Sequence, residues 1–141
     1  MRIFLDTNVL LRYFVPEDEN THRDCAALIY AIREGKLRPF LSPIVFMEYM
    51  YTMKTFYKIS KQSILQDISY LLRMRNLVIV EKTDTKAAFM IFTTHNIKFG
   101  DCLIATQIPK EAILATYDEE FKKVPRLSPL TPKQILARMK S

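Results

Sequence analysis

The sequence predicts an α/β protein with a central, mostly parallel sheet of four to five strands covered by helices. Short apolar segments alternate with stretches of helical periodicity along the 141 residues, and such alternation is typical of a parallel sheet. The chain contains only two glycines, which is too few for a sandwich built from tight hairpins. A chain of this length is expected to form one domain with its own core.

Four short apolar segments predict the strands. Each carries consecutive aliphatic or aromatic side chains, as strands that are buried on both faces do. The predicted strands are residues 2–5, 38–41, 77–80 and 112–115. Asp6 directly follows the first of these strands, and the segment Thr116-Tyr117-Asp118 follows the fourth.

Capping residues and apolar spacing predict the helices between the strands. Gly35 is placed to end one helix, and Ser42 followed by Pro43 is placed to begin the next. Thr131 stands three residues before Gln134, which is the spacing of a capping box. The predicted helices are residues 8–14, 21–34, 42–58, 60–74, 84–95 with Asp84 as its cap, a helix opened by Gly100-Asp101, and a last helix from Thr131.

The composition favours a nucleic-acid partner and a cytoplasmic location. Lys and Arg total 21 against 15 acids, so the net charge is +6 and the pI is near 9.4. Two cysteines, Cys25 and Cys102, are too few for a disulfide framework or a structural zinc site, which indicates reduced thiols in a cytosolic protein. No apolar run approaches membrane-spanning length and the chain opens directly into MRIFLD, so we expect neither a membrane segment nor a signal peptide.

The segment SPIVFMEYMYTM, residues 42–53, carries a single charge, Glu48, among mostly apolar and aromatic side chains. An unpaired carboxylate in such surroundings is strongly destabilising unless it takes up a proton. We therefore expect a partner for Glu48 elsewhere in the chain. We also expect its charge to be the least solvated among the acidic candidates for a site.

Three further acids are predicted to meet Glu48 at the carboxyl edge of the sheet, where ligands bind in open parallel sheets. Asp6 and Asp118 follow strands, and Asp101 lies at a helix start. Like charges about 5 Å apart repel by roughly 3 kcal/mol per pair at an effective dielectric constant near 20. Such a cluster needs protonation or a divalent cation, and oxygen ligands suit Mg²⁺ or Mn²⁺.

Each of these acids also has a purely structural interpretation. Asp6 and Asp101 could be helix caps, and Asp118 could be an ordinary turn residue. Glu48 could lie on a solvent-facing stripe of its helix. Four independent roles of this kind fit the sequence less well than one shared site.

Four short motifs, in this order and at this spacing, resemble the PIN-domain ribonucleases and, in size, the single-domain VapC-type toxins of toxin–antitoxin pairs. The motifs are Asp6-Thr7-Asn8 after a strand, Ser42-Pro43 to Glu48, Asp101-Cys102-Leu103-Ile104-Ala105, and Thr116-Tyr117-Asp118 with Phe121.

The resemblance implies a three-layer α/β/α PIN-like nuclease domain over residues 1–141 and Mg²⁺- or Mn²⁺-dependent hydrolysis of RNA phosphodiester bonds. It assigns to the site the catalytic metal ligands Asp6, Glu48, Asp101 and Asp118, supported by Asn8 and Thr116. It further implies an RNA substrate, an antitoxin protein as partner and a homodimer. The apolar helices at residues 42–53 and 60–74 would have faces left over for these protein contacts.

Other classes of protein share parts of this pattern. A haloacid-dehalogenase-like phosphatase needs a second carboxylate two residues after its first Asp, and Asn8 stands at that place. Cleavage by imidazole groups is not favoured, because His22 and His95 are predicted at helix ends away from the acids. One alternative stays open: a non-catalytic PIN-like module that binds nucleic acid or helps to process RNA. Metal-dependent turnover distinguishes a nuclease from such a module.

Basic and aromatic side chains favour an anionic polymer as the substrate. Outside the proposed ligands, 11 acids face 21 bases, and phosphate contacts from such bases give an affinity that falls with salt. The bases on segments near the predicted site are Lys54, Lys58, Lys61, Lys98, Lys122, Lys123 and Arg126. Aromatic rings can stack on bases, but most of the set Tyr49, Tyr51, Phe56 and Tyr57 is predicted to lie in the core.

Overall fold

The computed structural model describes residues 1–141 and contains one five-stranded sheet. Its strands are β1 Arg2–Leu5, β2 Arg38–Leu41, β3 Val78–Ile79, β4 Ile113–Ala115 and β5 Pro129–Leu130. Their order in the sheet is β3-β2-β1-β4-β5, and every neighbouring pair is parallel. The predicted α/β fold with a parallel sheet of four to five strands is confirmed.

The central strand β1 and its neighbour β4 end side by side. Leu5 pairs with Ala115, and the Asp6 N–H donates to the Ala115 carbonyl at 3.0 Å. Because the strands are parallel, Asp6 and Thr116 emerge at the same edge of the sheet. The segments that carry Asp6 and Asp118 therefore begin next to each other at this edge of the sheet.

Six α-helices and one 3₁₀ helix, Glu119–Lys123, lie between the strands, and a seventh α-helix follows β5. The α-helices are α1 Thr7–Phe14, α2 Glu19–Arg33, α3 Pro43–Thr55, α4 Lys61–Leu72, α5 Thr85–Thr94, α6 Phe99–Ala105 and α7 Pro132–Met139. The predicted caps at Ser42 and Asp84 and the capping box between Thr131 and Gln134 are present. None of these helices is both long and apolar enough to cross a membrane.

The end of α3 and the last strand differ from the sequence prediction. The helix stops at Thr55 rather than near residue 58, because Lys58 adopts a left-handed φ of 58° and the Ile59 N–H turns back to the Met53 carbonyl. The unpredicted strand β5 has only two residues at the sheet edge. It begins with Pro129, which cannot donate a ladder hydrogen bond and so gives no strand signal.

The start of α6 also differs from the prediction. The helix begins at Phe99, with Lys98 at the N-cap. Asp101 therefore lies inside the first turn, and the structural interpretation of Asp101 as the cap of this helix is wrong.

The core is a cluster of 26 buried residues that includes the three longest strands and the inner faces of the first helices. Tyr49 is fully buried, and its hydroxyl donates to Asp67 Oδ2 at 2.6 Å, so the polar end of this core side chain is paired. The prediction that most of the aromatic set lies in the core is wrong. Tyr51 and Phe56 are exposed and Tyr57 is half-buried, because they lie on the outer side and beyond the end of α3.

Gly35 ends α2 in a left-handed conformation. Its N–H donates to the Ile32 carbonyl and the Lys36 N–H donates to the Ala31 carbonyl, which is the Schellman pattern at a helix end. The φ of Gly35 is +79°, and a Cβ at this position would lie 2.9 Å from the guanidinium carbon of Arg75. Both the backbone and the local packing therefore favour glycine here.

We expect Gly35→Ala to lower the free energy of unfolding by about 1–2 kcal/mol, because a Cβ disfavours left-handed backbone and Arg75 must move. Urea denaturation followed by circular dichroism measures the change. Gly35→Asn is the control and should lose less, since Asn tolerates this conformation better. An Ala variant as stable as the unaltered protein would contradict this account.

Candidate active site

Asp6 is held in one orientation by hydrogen bonds to both of its carboxylate oxygens. Oδ1 accepts from the Thr7 N–H at 2.8 Å, so Asp6 caps α1. Oδ2 accepts from the Thr116 hydroxyl at 2.7 Å and from the Asn8 side-chain amide at 3.1 Å. The carboxylate is only 4% exposed. Asp6 is thus both a helix cap and a buried acid facing the carboxyl edge of the sheet.

Thr116 and Asn8 connect the end of β4 to the start of α1. The Asn8 amide also donates to Thr116 Oγ1 at 3.2 Å, and its Oδ1 accepts from the Tyr117 N–H at 3.1 Å. Thr116 Oγ1 in turn accepts from the Asp118 N–H at 2.9 Å. These bonds fix the backbone at Asp118 relative to Asp6. The Asp118 carboxylate also caps the following 3₁₀ helix by accepting from the Glu120 N–H.

Glu48 reaches the same region from the second turn of α3. Its Oε1 accepts from the Thr7 hydroxyl at 2.8 Å. The side chain is partly exposed, whereas Asp6 and Asp101 are buried. The expectation that Glu48 carries the least solvated charge is therefore wrong. The apolar neighbours of Glu48 in the sequence lie on other faces of α3.

Asp101 is the most poorly satisfied of the four acids. It is 6% exposed, and its Oδ2 has no hydrogen-bond partner. The neighbouring Gly100 faces Glu48, because a Cβ at this position would contact Glu48 Oε2 at 3.4 Å. A buried carboxylate oxygen without a partner is unusual in a folded protein and points to a missing positive partner.

The structure brings all four predicted acids to one cavity of about 190 Å³. Asp6, Glu48, Asp101 and Asp118 share its wall with Thr7, Asn8, Leu11, Thr52 and Lys98. The supporting Thr116 lies directly behind Asp6. His22 and His95 do not line this cavity, in agreement with the sequence prediction.

Burial and like charge shift the acids of this cavity toward their protonated forms. Burial raises the pKa of Asp6 to about 6, and hydrogen bonds from Thr116 and from the Thr7 N–H act against that rise. Burial, followed by the negative charge of Asp6, raises the pKa of Asp101 to about 7, while Lys98 acts in the opposite direction. The cavity therefore stabilises a positive charge close to these two carboxylates.

The donor set fits a hard divalent cation. As the side chains stand, no group of three or more His, Cys, Asp or Glu residues is arranged as a ready metal site. Mutual repulsion keeps carboxylates apart, and hydroxyl donors already hold one oxygen each of Asp6 and Glu48. The unpartnered Oδ2 of Asp101 and the four carboxylates of the cavity suit Mg²⁺ or Mn²⁺.

The sequence profile of the PIN domain matches residues 3–127, which is most of the chain. The chain belongs to the PIN domain family. No curated protein matches the sequence.

Two solved structures have the same fold as this PIN domain. One is VapBC2 from Rickettsia felis, bound to a DNA fragment from its promoter, with 21% identity, a TM-score of 0.67, and 93% of this chain and 98% of that chain covered. The other is PAE2754 from Pyrobaculum aerophilum, with 12% identity, a TM-score of 0.66, and coverage of 99% and 90%. The predicted three-layer PIN-like fold, similar to that of a VapC-type toxin, is confirmed.

Some residues of the cavity have roles that the sequence analysis did not assign. Thr7 belongs to the Asp6-Thr7-Asn8 motif, and in addition its hydroxyl positions Glu48. Its place in the first turn of a helix beside Asp6 is the signal that could have indicated this role.

Lys122 and Lys123 form salt bridges with Glu119 and Glu120, so these two bases are less free to contact a substrate than predicted.

Arg126 is likewise committed within the protein. Its guanidinium donates to the carbonyls of Ala105 and Ile108. These bonds cover the end of α6, so we assign Arg126 a structural role. The prediction that it contributes to an anionic substrate surface loses its support.

We expect Asp101→Asn to become more stable relative to the unaltered protein as the pH rises from about 4 to about 7 in EDTA. The pKa of Asp101 is raised from 3.8 to about 7 in the folded state, so folding binds a proton in this window. Stability of the unaltered protein therefore falls as the pH rises through it, whereas Asn has no proton to lose. The advantage of the variant should level off above pH 7 at roughly 1–3 kcal/mol.

Thermal unfolding at a series of pH values measures this difference. Asp84→Asn is the matched control for replacing an Asp near a helix start by Asn, because Asp84 is an exposed cap outside the cavity. A pH-independent difference for Asp101→Asn would contradict the assignment of a destabilising charge to Asp101.

Proposed function

We propose that this PIN domain, as a single nuclease domain over residues 1–141, is a divalent-metal-dependent endoribonuclease. One observation carries the proposal: four carboxylates from four separate segments line one cavity, and a buried oxygen of Asp101 there has no partner. In this proposal the catalytic metal ligands are Asp6, Glu48, Asp101 and Asp118. Asn8 and Thr116 orient Asp6 and the backbone at Asp118 through the hydrogen bonds described above.

The residues of the cavity prepare it for phosphodiester hydrolysis. A bound Mg²⁺ or Mn²⁺ would supply water activation and neutralisation of charge on the phosphate. The chain supplies fixed ligands: Thr116 and Asn8 hold Asp6 in place, and Thr7 holds Glu48. Because these donors are in position before substrate arrives, little reorganisation is needed at the moment of reaction. No histidine lines the cavity to act as a base toward the ribose 2′-hydroxyl.

Net charge supports an anionic polymer as the substrate. The chain carries a net charge of +6 even with four acids gathered in one cavity. Lys54, Lys58 and Lys61, near the end of α3 and the start of α4, are exposed and take part in no salt bridge. Such side chains give sequence-independent affinity for phosphates.

We further propose that the protein acts as the toxin of a toxin–antitoxin pair and forms a homodimer. The fold is similar to that of the Rickettsia felis VapBC2 structure. Several large apolar side chains are exposed on the helices, and exposed apolar surface marks protein contacts. They are Met47, Met50 and Tyr51 on α3, Leu65 and Leu72 on α4, and Phe89, Met90 and Phe92 on α5.

The nuclease assignment predicts cleavage of labelled RNA in Mn²⁺ and none in EDTA. Glu48→Gln should lower the cleavage rate by roughly 100-fold or more, because a metal ligand is lost while the shape of the side chain is kept. Glu34→Gln is the matched control at the opposite edge of the sheet and should leave the rate unchanged. Attack by water on phosphorus leaves a 5′-phosphate and a 3′-hydroxyl, which mass spectrometry identifies.

Products ending in a 2′,3′-cyclic phosphate would overturn the metal-dependent mechanism. RNA binding without any turnover in Mg²⁺ or Mn²⁺ would instead favour the alternative of a non-catalytic nucleic-acid-binding module.

The toxin assignment predicts growth arrest when the protein is expressed alone in a bacterial host. Glu48→Gln should restore growth by at least about 100-fold in colony count, in line with the loss of cleavage. Co-expression of a small DNA-binding protein encoded beside the gene should also restore growth. Normal growth in cells that contain abundant, soluble, unaltered protein would leave this assignment without support.

A further inference from the structure

Lys98 is the one cationic side chain that lines the acidic cavity. It shares the cavity wall with Asp6, Glu48, Asp101 and Asp118. The side chain is exposed at the mouth of the cavity, so its ammonium group is accessible to a ligand that enters from solvent.

Lys98 lies at a helix start, where lysine stabilises the helix poorly. Lys98 is the N-cap of α6 and makes no side-chain capping hydrogen bond. The other six α-helices all begin with an Asp, Ser or Thr whose side chain accepts from a backbone N–H of the first turn. Serine or aspartate would stabilise the start of α6 better than lysine. Helix stability therefore does not explain the lysine.

Ion pairing within the protein does not explain Lys98 either. Its ammonium group makes no hydrogen bond and lies within 4.0 Å of no carboxylate, although four acids line the same cavity. Lys98 therefore lines the cavity with its positive charge unpaired.

We propose that Lys98 is a substrate-binding residue whose ammonium group donates to a non-bridging phosphate oxygen of the RNA at the cavity mouth. This inference rests on the proposed function and names the contact by which the site holds its substrate. An ammonium group has no lone pair and cannot be a metal ligand. It is a compact, mobile donor at the edge of a cluster of carboxylates, and a phosphate is the anion that must come there for hydrolysis.

Two measurements that do not depend on turnover test the role of Lys98. The first is the affinity for labelled single-stranded RNA in EDTA over a series of salt concentrations. The second is the affinity for Mn²⁺ without RNA, measured by titration calorimetry. The proteins are the unaltered chain, Lys98→Ser, Lys98→Arg and the control Lys110→Ser. Lys110 is an exposed lysine before β4, at the opposite edge of the sheet.

Relative to Lys110→Ser, we expect Lys98→Ser to bind RNA at least about threefold more weakly, with a salt dependence smaller by about 0.7 in slope. The same variant should bind Mn²⁺ more tightly, by roughly threefold, because a positive charge has left the cavity. Lys98→Arg should keep the salt slope of the unaltered protein. Lys98→Ser should also melt at the same or a higher temperature, since Ser can cap α6.

If Lys98→Ser and Lys110→Ser have the same RNA affinity and salt slope, the inference is overturned while the proposed nuclease function stands. Unchanged Mn²⁺ affinity in Lys98→Ser would also overturn it, because the ammonium group would then not face the cavity. If the unaltered protein neither binds nor cleaves labelled RNA in Mn²⁺, the proposed function fails and the inference fails with it.

Discussion

The hydrogen bond from the Thr116 hydroxyl to Asp6 Oδ2 is the interaction on which the geometry of the cavity depends. At 2.7 Å, it joins the residue that follows the central strand β1 to the residue that follows the neighbouring strand β4. The same hydroxyl oxygen accepts from the Asp118 N–H, so one side chain sets the position of two of the four acids. The parallel sheet brings the strand ends together, and Thr116 converts that adjacency into a fixed arrangement of carboxylates.

The cavity is maintained at a cost to the stability of the fold. Asp6 and Asp101 are both buried, and like charges lie near each of them, so the pKa of each carboxyl is raised. The two acids differ in how the protein compensates for this. Asp6 receives three hydrogen bonds, whereas Asp101 Oδ2 receives none. The fold thus fixes the Asp6 carboxylate firmly and leaves one oxygen of Asp101 without a hydrogen-bond partner.

The sequence predicted those parts of the structure that have local signals. Apolar segments indicated β1 and β2 with correct bounds, and Ser42, Asp84 and Thr131 indicated helix starts. It could not indicate β5, whose two residues become a strand only through pairing with β4. The four acids could be assigned to one edge because strand ends fix Asp6 and Asp118. Their relative burial could not be predicted, because burial depends on how α3 and α6 pack.

Helix α6 is the element in which local stability and the needs of the site conflict most. It has no side-chain cap, it carries one of the chain's two glycines in its first turn, and it buries a carboxylate oxygen without a partner. Each of these features weakens a seven-residue helix that has few hydrogen bonds of its own. All three residues lie at or beside the cavity: Lys98 and Asp101 line it, and Gly100 lies next to Asp101 and faces Glu48. Departures from local rules gather at functional sites when a ligand supplies what the fold lacks. In the proposed metal site, a bound cation would offset the unpartnered Asp101 oxygen, so the start of α6 gives up local helix stability where that ligand would bind.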